Sequence, residues 1–244
     1  MQKGRHGMNG KRIAEGNFER HLRGNRYPGR GLVIGRTESG GWTLVYWIMG
    51  RSENSRNRRF VVDGETLRTE PIDSSKVENP ELIIYEAMLT LPGTYLVGNG
   101  DQVRTVADAL SAGGRCDEAL CNREREPDAP NYTPRITGMP RLLHKKCPVS
   151  LTIMKAHGAD PALTDRFTYR PATPPPGLGY GLRTYIGDGN PLPSFSGDPL
   201  LLPLRGGAER LLDVYWQGLD AENRVALAVK WIEEREVRVL VRNR

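Results

Sequence analysis

The feature that most constrains the fold is a pair of apolar segments separated by a short glycine-rich turn. Residues 31–36, GLVIGR, and residues 42–49, WTLVYWIM, are rich in β-branched and aromatic side chains, which favour strands. TESGG between them has the residue types of a hairpin turn. We therefore expect a β-hairpin over residues 31–49, with its second strand in the centre of a sheet.

Further segments follow strand-like or helix-like patterns. The segments that predict strands or hairpins are 59–64, 79–101, 127–139, 147–156 and 224–242. The segments that predict helices are 17–25, with Asn17 as N-cap and Gly24 as terminator, 102–114, 116–124 and 207–219. Because strands and helices do not alternate regularly, the sequence favours an α+β fold of layered antiparallel sheets flanked by helices.

Two segments depart from these patterns. Residues 1–16 are expected to form a disordered extension or tag, which leaves one domain at residues 17–244. Residues 171–203 are rich in proline and glycine, with aromatic residues among them. A segment of this kind predicts a long functional loop, and its aromatic residues favour an ordered lid over a linker.

Charge and cysteine content limit the classes of function. Lysine and arginine number 35 against 29 acidic residues, a formal net charge of +6, which suits anionic partners without choosing between a polymer and a nucleotide. Cys116, Cys121 and Cys147 show neither a disulfide framework nor zinc-ligand spacing. Since the sequence also has no apolar run long enough to span a membrane, we expect a cytoplasmic protein.

Motifs for common cofactors are missing from the sequence. It contains no P-loop, no dinucleotide-binding GxGxxG after a strand, no HExxH and no GxSxG. We therefore predict no cofactor and no metal.

Four arginines crowd into GRSENSRNRRF, residues 50–60, directly after the expected central strand. Three interpretations fit: a solvated turn, a pocket in which guanidinium groups bind one phosphate, or a nucleic-acid surface. Nucleic acid would favour aromatic residues spread over a surface, whereas the aromatic residues here fall in expected core strands. These arginines are Arg51, Arg56, Arg58 and Arg59.

Two other motifs and one tyrosine could contribute to a site. VGNGD, residues 97–101, is either a plain glycine turn or a place where Asn99 and helix-start N–H groups face a ligand. NYTPRI, residues 131–136, is either a turn with an arginine ion pair or part of a pocket. Tyr85 is either a core residue or a functional hydroxyl. From the residues alone we predict an α+β domain that binds a small anionic molecule.

Several stretches, taken in order, resemble the archaeal-type IMP cyclohydrolase family. The similarity is carried by YPGRGLVIGRTESGGWTLVYWIMGRSENSRNRRF, NPELIIY, VGNGDQVRTVADAL and NYTPRI, across roughly residues 27–140. It implies a four-layer αββα sandwich of antiparallel sheets like that of the N-terminal-nucleophile hydrolases. This chain displays no processed nucleophile, which agrees with a cyclohydrolase.

The resemblance also implies a reaction. 5-Formamidoimidazole-4-carboxamide ribotide would close its second ring and lose water to give inosine monophosphate, in purine biosynthesis and without a cofactor. The alternatives are a same-fold enzyme acting on a related purine ribotide or amide, and a non-enzymatic protein that binds nucleotide or RNA. We expect a small purine ribonucleotide as partner, neither membrane nor nucleic acid, and a homo-oligomer.

The resemblance further suggests which residues form the site. As catalytic residues we predict Tyr85, Arg58 and Arg135. As substrate-binding residues we predict Arg36, Arg56, Asn57, Arg59, Asn99, Asp101, Asn131, Tyr132 and Thr133. Residues 178–190 are expected to cover the pocket.

Overall fold

Two antiparallel β-sheets packed face to face form the centre of the computed structural model, which describes residues 2–77, 79–234 and 236–244. Strands are numbered in chain order. The first sheet contains β1 (Gly31–Arg36), β2 (Trp42–Met49), β10 (Leu178–Arg183), β11 (Leu200–Pro203), β12 (Arg224–Ile232) and β13 (Val237–Asn243). Their order across the sheet is β11-β10-β1-β2-β12-β13.

The second sheet has seven strands in simple sequential order, β3-β4-β5-β6-β7-β8-β9. They are β3 (Arg59–Asp63), β4 (Thr66–Glu70), β5 (Glu86–Leu91), β6 (Thr94–Gly98), β7 (Arg135–Pro140), β8 (Val149–Ala156) and β9 (Thr164–Tyr169). Every neighbouring pair is antiparallel. Most connections are hairpins or loops, whereas the connection from β6 to β7 contains two helices.

Helices cover the outer faces of both sheets. The α-helices are α1 (Gln2–Phe18), α2 (Glu53–Arg56), α3 (Pro80–Ile83), α4 (Gln102–Ser111), α5 (Cys116–Ala119) and α6 (Ala208–Gly218). Helices α1 and α6 pack on the first sheet, where the rings of Phe18 and Tyr215 lie 5.1 Å apart. Helix α4 packs Val103 and Val106 on the second sheet. The predicted α+β class with layered antiparallel sheets is confirmed.

The burial of β2 explains its continuous apolar sequence. Leu44, Tyr46 and Ile48 point into the core between the sheets. Val45 and Trp47, which alternate with them, point toward α1 and α6. A strand covered on both faces needs apolar side chains at every position rather than at every second one. The predicted hairpin of β1 and β2, with β2 inside the sheet, is confirmed.

The beginning of the chain differs from the expected extension. Residues 2–18 form α1, which continues as a π-helical turn, Glu19–Arg23, that ends at Gly24. Ala14, Phe18 and Leu22 are buried at four-residue spacing and form an apolar stripe. Asn17 is not an N-cap, because it lies inside the helix and its amide donates to the Leu201 carbonyl (3.0 Å).

The proline- and glycine-rich segment 171–203 is not one long loop, and its residues 178–183 do not form a cover. They form β10, a strand buried between β1 and β11. A Cβ at Gly179 would lie 2.7 Å from the Ile34 carbonyl oxygen, so glycine is needed here for close strand packing. The sequence analysis also missed β4 and β9. None of the described helices is both long and apolar enough to cross a membrane.

A buried lysine lies on β12, at the inter-sheet face. The side chain of Lys230 is fully buried, and its ammonium donates to the Glu65 carbonyl (2.7 Å) and to the Thr90 hydroxyl. Burial lowers the pKa of Lys230 to about 8, although the charge of Glu65 opposes this shift. The folded state therefore holds this proton less tightly than the unfolded chain does.

We predict that the free energy of unfolding rises with pH through the window between the folded and unfolded pKa values of Lys230, about 8 and 10.5. In that window the unfolded chain binds more protons, so raising the pH favours the folded state, by roughly 3 kcal/mol in total. Urea unfolding of the wild type and of Lys230→Met across this range measures the effect. An equal rise in both proteins would contradict the assignment to Lys230.

Candidate active site

A polar cavity of about 370 Å³ opens at one end of the sandwich. Its walls come from loops that adjoin the same end of both sheets, including those before β1, after β2 and before β3, β5 and β7. The lining residues are Tyr27, Gly29, Arg30, Met49, Arg51, Ser52, Asn54, Ser55, Arg58, Asn79, Leu82, Ile83, Glu126, Asp128, Asn131, Thr133, Tyr185 and Leu192. Charged and hydroxyl groups from both sheets therefore converge on one space.

Arg30 is held from several sides at the base of this cavity. Its guanidinium donates to a Glu126 carboxylate oxygen (2.6 Å) and to the Asn99 carbonyl (3.1 Å). Burial alone would lower the pKa of Arg30, but the charge and hydrogen bond of Glu126 outweigh it and raise the pKa well above its usual value. Arg30 is therefore a fixed, permanently charged group.

The backbone around Arg30 is fixed by Trp47 of β2. The Trp47 indole N–H donates to the Gly29 carbonyl (3.0 Å). A Cβ at Gly31 would lie 1.9 Å from the Trp47 ring, so only glycine fits at this position. Gly29 has a φ of +71°, in the left-handed region that glycine adopts readily. The two glycines thus let the chain place Arg30 against the end of the core.

Arg58 lies in the same cavity but has no acidic partner. Among the described residues it forms no ion pair, and its Nε is buried without a hydrogen-bond partner. Its exposed fraction is only 9%. Burial and the positive charge of Arg30 lower the pKa of Arg58. Glu126 is bound to Arg30, so within the described part of the chain the guanidinium of Arg58 has no ion-pair partner of its own.

Asn57 anchors the segment that presents Arg58. The Asn57 amide donates to the Asp73 carbonyl (2.7 Å), and its side-chain oxygen accepts from the Asp73 N–H (2.8 Å). Helix α2, which precedes this segment, begins with Ser52 and Ser55 in a reciprocal capping box. The arginine-rich segment is therefore an ordered wall of the cavity and not only a solvated turn.

Two tyrosines form an aromatic wall of the cavity. The rings of Tyr27 and Tyr185 stack with centroids 6.0 Å apart, and Arg51 lies over Tyr27 at 4.9 Å. The Tyr185 hydroxyl bonds with Thr133, which in turn bonds with Asp128. Burial raises the pKa of Tyr185, so its hydroxyl stays protonated at neutral pH. The wall therefore combines aromatic rings with hydroxyl groups.

The loop before β7 supplies the acidic side of the cavity. Asp128 organises this loop by accepting hydrogen bonds from the backbone N–H of Thr133 (2.6 Å) and, through its carbonyl, from Asn131 (3.0 Å). The Asn131 side-chain oxygen accepts from the Leu192 N–H (3.0 Å). One carboxylate oxygen of Glu126 is buried without a partner, in contrast to the oxygen that contacts Arg30.

Tyr85 lies in the core close to Arg30 and Arg58 and is not among the residues that line this cavity. Its hydroxyl and that of Tyr46 are 2.7 Å apart, and both side chains are buried. Burial and the neighbouring Tyr85 raise the pKa of Tyr46 well above its usual value, and the charges of Arg30 and Arg58 act in the opposite sense. The hydroxyl pair is thus within electrostatic reach of the cationic base of the cavity.

The structure brings only part of the predicted site together. Arg58, Asn131 and Thr133 line the cavity. Asn57 and Asn99 hold its walls in place, whereas Asp101 and Arg135 lie outside its lining. The side-chain oxygen of Asn99 accepts a hydrogen bond from the Ile136 N–H (2.7 Å), which fixes the Asn99 carbonyl that accepts from Arg30. Arg135 donates to the Asp101 carboxylate (2.7 Å).

Four predicted binding residues lie away from the cavity. Arg36 lies at the far end of β1 from Arg30, donates to the Gly41 carbonyl (3.0 Å) and so belongs to the hairpin turn. Arg56 folds back onto the Gly50 carbonyl (2.9 Å), and exposed Arg59 pairs with Glu70. Tyr132, at a φ of 44°, turns its ring toward Arg125 (4.6 Å).

Sequence reasoning missed several lining residues, above all Arg30, Glu126, Tyr27 and Tyr185. YPGR at residues 27–30 has the residue types of a turn, and nothing in it indicates a buried arginine. Glu126 stands in a proline-flanked, charged segment that gives no sign of burial, and its exposed fraction is 3%. The partnership of Arg30 with Glu126 spans 96 positions, and no local pattern reveals it.

We predict opposite stability effects for two changes in this cavity. Glu126→Gln leaves two buried cations uncompensated and should lower the free energy of unfolding by about 3 kcal/mol. Arg58→Met removes a buried unpaired charge and should raise it by about 1 kcal/mol. Arg68→Met, at an exposed arginine on β4, should change it by less than about 0.5 kcal/mol. Urea unfolding measures all three, and a strong destabilisation by Arg58→Met would contradict the assignment.

Comparison with known proteins identifies the family of this chain. No curated protein sequence matches the chain. A family model described as IMP cyclohydrolase-like protein matches residues 27–236, which include every lining residue of the cavity. Because this match covers most of the chain, the protein belongs to the IMP cyclohydrolase-like protein family.

Proposed function

We propose that the protein is a cyclohydrolase that closes the ring of 5-formamidoimidazole-4-carboxamide ribotide to give inosine monophosphate. The observation that carries this proposal is the buried, unpaired guanidinium of Arg58 beside Arg30. An uncompensated buried cation is costly unless an anion binds there. Family membership then favours a purine ribotide, which brings a phosphate and develops a negative charge during reaction.

The size and lining of the cavity suit such a molecule. Its volume of about 370 Å³ is within the range of small-molecule sites. The rings of Tyr27 and Tyr185 stack on each other and form an aromatic surface of the lining that suits a planar imidazole. Hydroxyl and amide groups of Thr133 and Asn131 stand beside that surface for polar substituents.

The reaction needs orientation and charge stabilisation more than a reactive side chain. The carboxamide nitrogen attacks the formyl carbon of the same molecule, a C–N bond forms, and the formyl oxygen becomes negatively charged. Holding both arms together removes up to about 7–11 kcal/mol from the barrier. A cation beside the developing oxyanion contributes about 3 kcal/mol more. Arg58 and Arg30 provide two fixed cations for the oxyanion and the phosphate.

Proton transfers complete the ring closure. The carboxamide nitrogen must lose one proton, and the unpartnered carboxylate oxygen of Glu126 is the acceptor we assign to it. The hydroxyl formed from the formyl oxygen then leaves as water, as the former formamido nitrogen loses its proton and a C=N bond forms. We assign to the Tyr85 hydroxyl the role of donating a proton to this leaving hydroxyl, while the Tyr46 hydroxyl holds Tyr85 in place.

We predict that Arg58→Met lowers kcat by about 100-fold to 1,000-fold, because it removes one cation that stabilises the transition state. Purified protein is mixed with the formylated ribotide without cofactor, and inosine monophosphate is followed by chromatography. Arg68→Met should keep wild-type turnover. Undiminished turnover in Arg58→Met would exclude this role, and a folded wild type that binds the ribotide without converting it would exclude the reaction.

We predict that Tyr85→Phe lowers kcat by about 100-fold, since proton transfer by a placed side chain contributes on that order. Tyr46→Phe is the matched control: it removes the other hydroxyl of the pair and leaves that of Tyr85. Tyr46→Phe should lower kcat by less than about tenfold, the effect of losing one neutral hydrogen bond. Equal losses in the two variants would show that Tyr85 acts only through packing.

A further inference from the structure

A second cationic cavity lies on the outer face of the second sheet, beside α4 and α5. Its volume, about 360 Å³, is close to that of the candidate active site. The loops before α5, after β7 and after β9 contribute Arg115, Arg141 and Arg170, and the loop between β7 and β8 contributes His144 and Lys146. Nothing in the proposed reaction uses this cavity.

The positive charges of this cavity are only partly compensated. Asp117 is the one carboxylate in the lining, and it already contacts Arg115 (2.9 Å) and Arg170 (3.6 Å). Within the described part of the chain, Arg141 and Lys146 have no carboxylate within 4.0 Å. The Nε of Arg141 is also buried without a hydrogen-bond partner. This arrangement leaves a strong donor and two positive charges available to a ligand.

We propose that this second cavity binds a small phosphorylated anion through its phosphate group. A guanidinium with an unused N–H, flanked by an ammonium and an imidazole, matches the donors that phosphate oxygens accept. The small volume of the cavity and the contributions of separate loops favour a compact ligand over a polymer, which would need a positive surface extended along its backbone. Inorganic phosphate and phosphate esters share this chemistry.

Cys147 provides a local reporter for binding. Its thiol is exposed and lines the cavity, whereas Cys121 is exposed and lies outside the lining. Cys116 also lines the cavity, but burial and the charge of Asp117 raise its pKa to about 11, so it reacts slowly. Alkylation of Cys147, measured by mass spectrometry relative to Cys121, therefore reports occupancy of this cavity and not of the candidate active site.

The test is protection of Cys147 from iodoacetamide by inorganic phosphate and, separately, by adenosine monophosphate. We expect at least one to slow alkylation of Cys147 but not of Cys121. Protection by phosphate alone supports a site for inorganic phosphate, and stronger protection by the nucleotide supports a site for phosphate esters. No protection by either, or protection only by a single-stranded RNA oligonucleotide, would overturn the proposal.

Two neighbouring lysines give a matched pair of variants. Lys146 lines the cavity and Lys145 does not, and both are exposed, so neither change should unfold the protein. Lys146→Gln should raise by about fivefold the concentration of the protecting anion that halves the alkylation rate of Cys147, the effect of one exposed charge. Lys145→Gln should leave it unchanged. Equal half-protecting concentrations in the two variants would overturn the proposal.

Discussion

The ion pair between Arg30 and Glu126 joins the two sheets at the end where the candidate active site lies. Arg30 directly precedes β1 of the first sheet, and Glu126 belongs to the loop before β7 of the second. The same guanidinium also bonds to the carbonyl of Asn99, just after β6. Since both side chains are almost fully buried, losing one partner would leave a charge in the core. The position of the cavity walls depends on this contact.

Arg58 stands beside this pair without an ion-pair partner among residues 2–77, 79–234 and 236–244, which is unfavourable for folding and useful for binding. Local sequence choices elsewhere favour the fold: both faces of β2 are apolar, and glycine occupies the positions where Trp47 and β1 come too close for a side chain. A conflict of this kind is what a functional site produces, because its charge is balanced only when ligand is present. The cost of Arg58 therefore supports the proposal that an anion binds there.

The sequence predicted what local patterns control and missed what distant contacts control. Strands β1 and β2, helix α4 and the hairpin of β5 and β6 follow from apolar periodicity and turn residues, and they were found. Strand β10 was missed because its glycines resemble a loop, although they serve close packing between neighbouring strands. Among the arginines, Arg58 was predicted as a site residue and lines the cavity, whereas Arg36 was predicted and Arg30, which lines the cavity, was not. Arg30 and Arg36 each belong to a Gly-Arg pair at an end of β1, and only the tertiary fold decides which end faces the cavity.

Strand β7 runs between the candidate active site and the second cationic cavity. Thr133, just before β7, lines the candidate active site. Met139 and Arg141, at the other end of β7, line the second cavity. A strand of this length separates the two by about 20 Å, given a rise of about 3.3 Å per residue. This is more than twice the Debye length of about 8 Å at physiological salt, so their charges do not interact appreciably. Each cavity must therefore attract its own anion with its own residues, and a change of charge in one leaves the electrostatics of the other intact.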